Sequence, residues 1–99
     1  MGRTIEEAVE ACYGRTRATA RKSGRNPGWP YVPVVHHPPC IGLSAIDGRT
    51  EIIRGRAFAT RPEAVNYAQR VINARKAKMA TDLAEPRMRA FRAQWGVEL

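Results

Sequence analysis

Five of the seven prolines fall within one stretch, residues 24–40, and they limit the backbone there more than any other feature of the chain. Proline has no backbone N–H and fixes φ, so this stretch cannot form the interior of an α-helix, and we expect it to be excluded from the centre of a sheet. The stretch is therefore predicted to be an extended, partly polyproline-like loop packed over the core. Within it, Val32 to His36 is a candidate edge strand.

The sequence before this loop predicts an amphipathic helix from about Ile5 to Ser23. Thr4 and Glu7 have the spacing of a capping box, and Gly24 is a typical residue for the helix end. The apolar side recurs at i, i+3, i+4 and i+7 and consists of Ile5, Ala8, Val9, Cys12, Tyr13, Thr16 and Ala20. The other side is basic, and it is either a solvated face or a stripe that binds phosphate.

A β-hairpin is predicted next. Residues 41–46 alternate between apolar and small or polar side chains, Asp47-Gly48 is a strong signal for a two-residue turn, and residues 49–59 supply the return strand. The alternation of the return strand is imperfect, since Arg54 lies between Ile52 and Phe58. Gly55 would explain this as a bulge that resets the face, and the register of the hairpin stays open.

Two helices are predicted after the hairpin. Thr60 and Glu63 form a second capping box, and the helix that follows should run to about Met79. Because Pro86 interrupts helix geometry, a short last helix is expected from about Glu85 to Trp95. The expected fold class is α+β: an N-terminal amphipathic helix, a small antiparallel sheet made of the hairpin and the candidate edge strand, and two C-terminal helices, all within a single domain over residues 1–99.

The chain is strongly basic. Its 99 residues include 17 Lys and Arg against 9 Asp and Glu, which gives a formal net charge of +8, and 14 of the basic residues are arginines. Arginine binds phosphate and carboxylate through a planar fork, although a GC-rich genome also enriches it. No apolar run approaches the roughly 18 residues of a membrane span, and the N-terminus lacks the apolar segment of a secretory signal. We therefore expect a cytoplasmic protein without a membrane partner, whose cysteines are reduced.

Metal binding and catalysis are the next alternatives. The residues of types that bind zinc are Cys12, His36, His37 and Cys40. Adjacent histidines on an extended chain point to opposite sides, and no second pair of ligands follows. A His37–Cys40 imidazole–thiol pair has neither a nucleophile elbow nor a glycine-rich phosphate loop to support it. We expect no enzyme, no metal and no cofactor, with a His/Cys-based enzyme as the remaining catalytic alternative.

Nucleic-acid binding is the function that the charge distribution favours, with DNA preferred over RNA. Phosphate contacts need cations on one face, a β-ribbon fits the major groove, and aromatic side chains in an exposed loop can stack on bases. Trp29 and Tyr31 are placed for stacking unless they simply cover the core. The residues predicted to bind nucleic acid are Arg15, Arg17, Arg21, Lys22, Trp29, Tyr31, Arg49, Arg54 and Arg56.

A local resemblance points the same way. Residues 51–68 carry the pattern Phe58-x-Thr60-x-x-Glu63-Ala64-x-x-Tyr67-Ala68, which resembles the strand-to-helix unit of AP2-type and phage-integrase arm-binding domains. In those families a small sheet reads DNA and a helix packs behind it. The resemblance covers under a fifth of the chain. It implies a third strand, for which Val32 to His36 is the candidate, and it implies that Arg49, Arg54 and Arg56 are the strand residues that contact DNA.

Protein binding is the alternative function. A small chain with no catalytic cluster and a dense arginine surface also fits an accessory protein of a phage or mobile element. Such a protein would bind and inhibit a host protein or ribonucleoprotein complex through an acidic surface of that partner. The apolar side of the last helix, with Phe91 and Trp95, packs either inward or across a homodimer interface.

Overall fold

The computed structural model of the protein describes residues 2–23, 27–37 and 49–98. In chain order the elements are α1 (Ile5–Tyr13), β1 (Arg17–Lys22), β2 (Tyr31–His37), β3 (Arg49–Ile52), α2 (Arg61–Ala84) and α3 (Arg89–Gln94). The strands form one antiparallel sheet in the order β1-β2-β3, and α2 packs across it. This architecture confirms the predicted α+β class, with one helix before the sheet and two after it.

The start of α1 follows the prediction from its capping box. The backbone N–H of Glu7 donates to Oγ1 of Thr4 (3.1 Å), and the N–H of Thr4 donates to Oε1 of Glu7 (3.3 Å). These two bonds satisfy donors that the first turn of a helix leaves without a partner. At the other end, the N–H of Gly14 donates to the carbonyl of Glu10 (2.7 Å), and the helix stops at Tyr13.

The prediction that this helix continues to Ser23 is wrong, because residues 17–22 form strand β1. The sequence Arg17-Ala-Thr-Ala-Arg21 alternates between long polar and small side chains, which is the period of a strand. Ala18 packs against the cluster that joins the sheet to α2, whereas Arg17 and Arg21 are exposed. Pairing with β2 therefore decides the conformation of a segment whose apolar spacing also fits a helix.

Strand β2 is the central strand although it contains Pro33, so the prediction of an edge strand at this position is wrong in that respect. On one side Pro33 pairs with Ala20, and on the other its carbonyl accepts a hydrogen bond from the N–H of Ile53 (2.9 Å). The nitrogen of Pro33 faces the same neighbour as its carbonyl does. The hydrogen bond that Pro33 cannot donate would therefore go to Ile53, just beyond the last residue of β3. The loss falls at the end of the β2–β3 pairing, and the bonds in its middle are kept.

Strand β3 pairs with β2, with Ile52 opposite Val34. The predicted hairpin partner, residues 41–46, and the Asp47-Gly48 turn lie outside the described residues. The strand ends at Ile52 and does not extend to Ala59 as predicted. Gly55 occupies a turn between β3 and α2 with φ 84°, a conformation that favours glycine, so it does not act as the expected bulge within a strand.

Helix α2 is longer than predicted, since its 24 residues continue past Met79 to Ala84. Its start follows the sequence: Oγ1 of Thr60 accepts from the N–H of Glu63 (3.4 Å) and donates to Oε1 of the same residue (2.7 Å). Thr81 lies within the helix, and its hydroxyl donates to the carbonyl of Ala77 (3.0 Å). The helix ends two residues before Pro86, and α3 is correspondingly shorter than the predicted span from Glu85 to Trp95.

Helix α2 contributes to two separate apolar clusters. The sheet cluster consists of Val35, Ala68 and Ile72. The helix cluster lies further along α2 and consists of Ala8, Met79, Leu83 and Val97, with Phe91 and Trp95 of the C-terminal region packed against it. In the part of the chain that the structure describes, no helix combines the length and the apolar character that a membrane span requires.

Candidate nucleic-acid interface

The sheet has two faces of different chemistry. The inner face packs on α2 and includes Val35, which is buried against Ala68 and Ile72 of that helix. Because side chains alternate along a strand and paired residues share a face, residues of the opposite parity form an outer face that points away from α2. The outer face consists of Arg17, Thr19 and Arg21 of β1, Val32, Val34 and His36 of β2, and Thr50 and Ile52 of β3.

The outer face is arranged in rows that cross the strands. Arg17, His36 and Thr50 form one row, and all three are exposed. Thr19, Val34 and Ile52 form the next row, in which Val34 is 2% exposed and Ile52 is 39% exposed. Arg21 lies opposite Val32 in the third row. The face therefore has an apolar centre with an exposed arginine on either side of it along β1.

The acidic side chain of the sheet is kept away from the outer face. Within the three described strands Glu51 is the one acidic residue, and it lies on the inner face. Its carboxylate accepts hydrogen bonds from both Nη atoms of Arg75 (2.6 and 2.7 Å), and Oε1 lies 3.1 Å from Nε2 of His37. The hydrogen bonds from Arg75 lower the pKa of Glu51 to about 2. Burial of the carboxylate opposes this shift, and His37 adds to it. The carboxylate is thus paired inside the molecule, and the outer face is left with basic and neutral side chains.

Two of the predicted binding residues, Arg17 and Arg21, share the outer face. Lys22 is exposed at the end of β1 but has the parity of the inner face, where it pairs with Tyr31. Arg15 is exposed in the turn between α1 and β1. The three cations of β1 are therefore divided between the two faces of the sheet.

The two aromatic residues of the proline-rich segment have different surroundings. Trp29 lies in the connection between β1 and β2 and is 56% exposed, so it does not cover the core. Tyr31 is half-buried, and its backbone N–H and carbonyl bond to the backbone of Phe58 (3.1 and 2.7 Å). Of the two, Trp29 is the residue whose ring remains accessible for stacking.

The three arginines that the family resemblance implied are not gathered on the outer face. Arg49 begins β3 opposite His37 and has the parity of the inner face. Arg54 is exposed in the turn after β3. The guanidinium carbon of Arg56 lies 5.7 Å from the ring centroid of Tyr67, within the range of a cation–π interaction.

Sequence reasoning missed two exposed polar residues of the outer face, His36 and Thr50. Both stand in the row that begins with Arg17. The alternation of residues 17–21 is the signal that could have identified them. Once residues 17–22 are recognised as a strand, its pairing with the neighbouring strands determines which residues share a face with Arg17.

The three candidate zinc ligands that the structure describes are not brought together. His36 is exposed on the outer face, whereas His37 is half-buried beside Glu51, as the alternation of a strand predicts. Cys12 packs against the helix cluster, and Cys40 lies outside the described residues. Among residues 2–23, 27–37 and 49–98, no three His, Cys, Asp or Glu side chains are placed to hold a metal ion.

Comparison with known proteins adds no family to this description. No protein-family model, no curated protein and no solved structure matches the chain.

Proposed function

We propose that this protein binds duplex DNA through the outer face of its sheet, with Arg17 and Arg21 contacting phosphate groups. The observation that supports the proposal is the distribution of charge on the sheet. Arg17 and Arg21 are exposed on the face away from α2, and that face carries no acidic residue in the described strands. The opposite face also has exposed cations, Lys22 and Arg49, but it holds Glu51, which is paired with Arg75. The net charge of +8 adds a long-range attraction to any polyanion.

The dimensions of the sheet suit the major groove. Neighbouring strands lie about 4.8 Å apart, and the major groove, about 12 Å wide, admits a two-stranded ribbon, so β1 and β2 can enter it with β3 at the rim. Arg17 and Arg21 are four residues apart on one strand, a separation of about 13 Å. That distance exceeds the axial rise of about 3.4 Å between successive phosphates of one DNA strand. The two guanidinium groups can therefore reach separate phosphates of one DNA backbone.

Three other exposed side chains of the outer face have the chemistry of base contacts. His36 and Thr50 carry hydrogen-bonding groups, and Ile52 is a partly exposed apolar residue. Hydroxyl and ring nitrogen groups bond to base edges in the major groove, and apolar groups contact the methyl group of thymine. Phosphate contacts position the protein, and these three residues are the ones that we expect to influence sequence preference.

Fluorescence anisotropy with a labelled 20-base-pair duplex at several salt concentrations tests the proposal. Replacing both outer-face arginines (Arg17→Ala with Arg21→Ala) should lower the slope of log K against log salt by roughly 1.8, since each phosphate contact contributes about 0.9. The matched control is Arg61→Ala with Arg70→Ala, which removes the same charge from exposed positions of α2. The control should leave the slope within about 0.5 of the original value.

Two results would contradict the proposal. If both double variants reduce the slope equally, binding follows total charge and the outer face has no special part in it. If the unaltered protein does not bind DNA even at low salt, the outer face serves another partner. A search for an acidic protein partner would then take priority, as the alternative function predicts. Tighter binding of a single-stranded oligonucleotide than of the duplex would instead favour base stacking by Trp29.

A further inference from the structure

A cleft lies between the three helices, away from the sheet. Its floor is α2, and its walls are the C-terminal end of α1 and helix α3 with the residue that follows it. The cleft has a volume of about 300 Å³. This is the lower end of the range of about 300–1,000 Å³ for sites that bind small molecules.

One part of the cleft is apolar and aromatic. Met79 is buried at its base, and Phe91 and Trp95 line one wall, four residues apart and both half-buried. Two aromatic rings one helical turn apart can both contact an apolar group in the cleft, and methionine adapts its shape to a neighbouring ring. This part of the cleft is suited to a small planar apolar group.

The other part of the cleft carries hydrogen-bond donors. Tyr13, Arg75 and Lys78 line it, together with Asp82, whose carboxylate is the present partner of Lys78. Burial, more than the neighbouring Cys12 and Glu51, raises the pKa of Tyr13, so its hydroxyl keeps its proton at neutral pH and can donate. Glu51 accepts one bond from each Nη of Arg75, and a guanidinium carries five N–H donors in all. The cleft therefore combines donors with an aromatic surface.

The ammonium group of Lys78 can change its partner at low cost. Its Nζ lies 2.9 Å from Oδ2 of Asp82, and the Lys78 side chain is 76% exposed. Ion pairs this exposed contribute at most about 1 kcal/mol to stability, so the carboxylate of a ligand can replace that of Asp82. A carboxylate is the anion that fits, because it is planar and offers two acceptor oxygens to donors on neighbouring residues.

We propose that this cleft binds a small aromatic carboxylate, with its ring against Met79, Phe91 and Trp95 and its carboxylate at Lys78 and Tyr13. The proposal is independent of DNA binding, since the outer face of the sheet supplies none of these residues. Recognition divides into a contribution from the ring and a contribution from the charge, and each can be measured separately.

The test uses 3-phenylpropionate and its uncharged analogue 3-phenylpropionamide as probes. The chain has two tryptophans, so in a Trp29→Phe background Trp95 becomes the single tryptophan reporter, and it lines the cleft. Fluorescence titration should give saturable binding of 3-phenylpropionate with a dissociation constant of about 1 mM, a value ordinary for a ligand of this size. The amide should bind about fivefold more weakly, because it lacks the charge that Lys78 attracts.

A second variant separates recognition of the carboxylate from simple apolar contact. Lys78→Gln should bring the affinity ratio of acid to amide below about 2, without loss of folding at so exposed a position. Arg70→Gln removes the same charge from an exposed position of α2 outside the cleft and should preserve the ratio. The proposal is overturned if 3-phenylpropionate gives no saturable signal up to about 20 mM, twenty times the expected constant. It is also overturned if acid and amide bind equally, or if Lys78→Gln leaves the ratio unchanged.

Discussion

The ion pair between Glu51 and Arg75 should make the stability of this protein depend on pH in a defined window. The pKa of Glu51 falls from its ordinary value of 4.5 to about 2 because Arg75 donates two hydrogen bonds to it. A carboxyl group whose pKa is lower in the folded state than in the unfolded state stabilises the fold above the unfolded value. This stabilisation is complete above pH 4.5 and is lost as the pH falls through the folded value of about 2.

The magnitude follows from the same two values. The difference between 4.5 and about 2 corresponds to about 3 kcal/mol if water does not weaken the interaction. The side chains of Glu51 and Arg75 are 31% and 34% exposed, so solvent screens the pair substantially. We therefore expect Glu51→Gln to reduce the free energy of unfolding at pH 7 by about 1–2 kcal/mol, which lies between the values for exposed and buried pairs. For a domain of this size that loss lowers Tm by about 5–10 °C.

Urea unfolding followed by circular dichroism at pH 7, 5.5, 4 and 3 measures the effect. The difference in unfolding free energy between the original protein and Glu51→Gln should be constant down to about pH 5 and should shrink toward pH 3. Glu10→Gln, which changes an exposed carboxylate of α1 in the same way, should stay within about 0.5 kcal/mol of the original protein. A difference for Glu51→Gln that does not change with pH would contradict this prediction, because it would show that the loss does not come from the charge of the carboxylate.

Three further substitutions test the fold, each by urea unfolding at pH 7. Ile72→Ala should cost about 2–5 kcal/mol, because Ile72 is 1% exposed in the sheet cluster and its removal leaves a cavity; a loss below about 1 kcal/mol would mean that the sheet and α2 are not tightly packed there. Thr4→Ala should cost about 1 kcal/mol because it removes the hydrogen bond that Oγ1 of Thr4 accepts from the N–H of Glu7, whereas Thr4→Ser should retain that bond. Gly55→Ala should cost about 1 kcal/mol from its φ of 84° alone, since a Cβ there has no atom within 4 Å; an unchanged midpoint would contradict that conformation.

The elements that the sequence predicts correctly are those with local signals. The starts of α1 and α2 follow from the Thr4–Glu7 and Thr60–Glu63 spacings, since in each the threonine hydroxyl accepts a hydrogen bond from an N–H three residues later. The spacing of Ala64, Ala68 and Ile72, which are all buried, is also a local signal, because it is the period of a helix. These signals require no knowledge of the rest of the chain.

The errors come from interactions between distant parts of the chain. Residues 17–22 fit a helix by apolar spacing and become a strand by pairing with residues 31–36, information that no local window contains. Pro33 is acceptable in a central strand because its neighbour β3 ends beside it, and that depends on where a different segment stops. Helix α2 continues past Met79 because Leu83 is buried in the helix cluster.

Arg17 and Arg21 lie on the same side of the chain whether residues 17–22 form a helix, as predicted, or a strand, as observed. Positions i and i+4 lie on the same side of a helix, and they also lie on the same side of a strand. For Lys22 the difference matters. On a helix it would lie beside Arg21, whereas on strand β1 it points to the opposite face of the sheet. His36 and Thr50 join the candidate interface through strand pairing alone, and for that reason the sequence did not identify them.

The sharing of α2 between two clusters separates the two ends of the molecule. Ile72 and Leu83 are 11 residues apart on one helix, which places them about 16 Å from each other along its axis. Substitutions more than about 7–10 Å apart and without common neighbours usually have additive effects on stability. The outer face of the sheet and the aromatic part of the cleft can therefore diverge independently under selection. Arg75 is the exception, since it lines the cleft and bonds to Glu51 of β3, so changes there affect both ends.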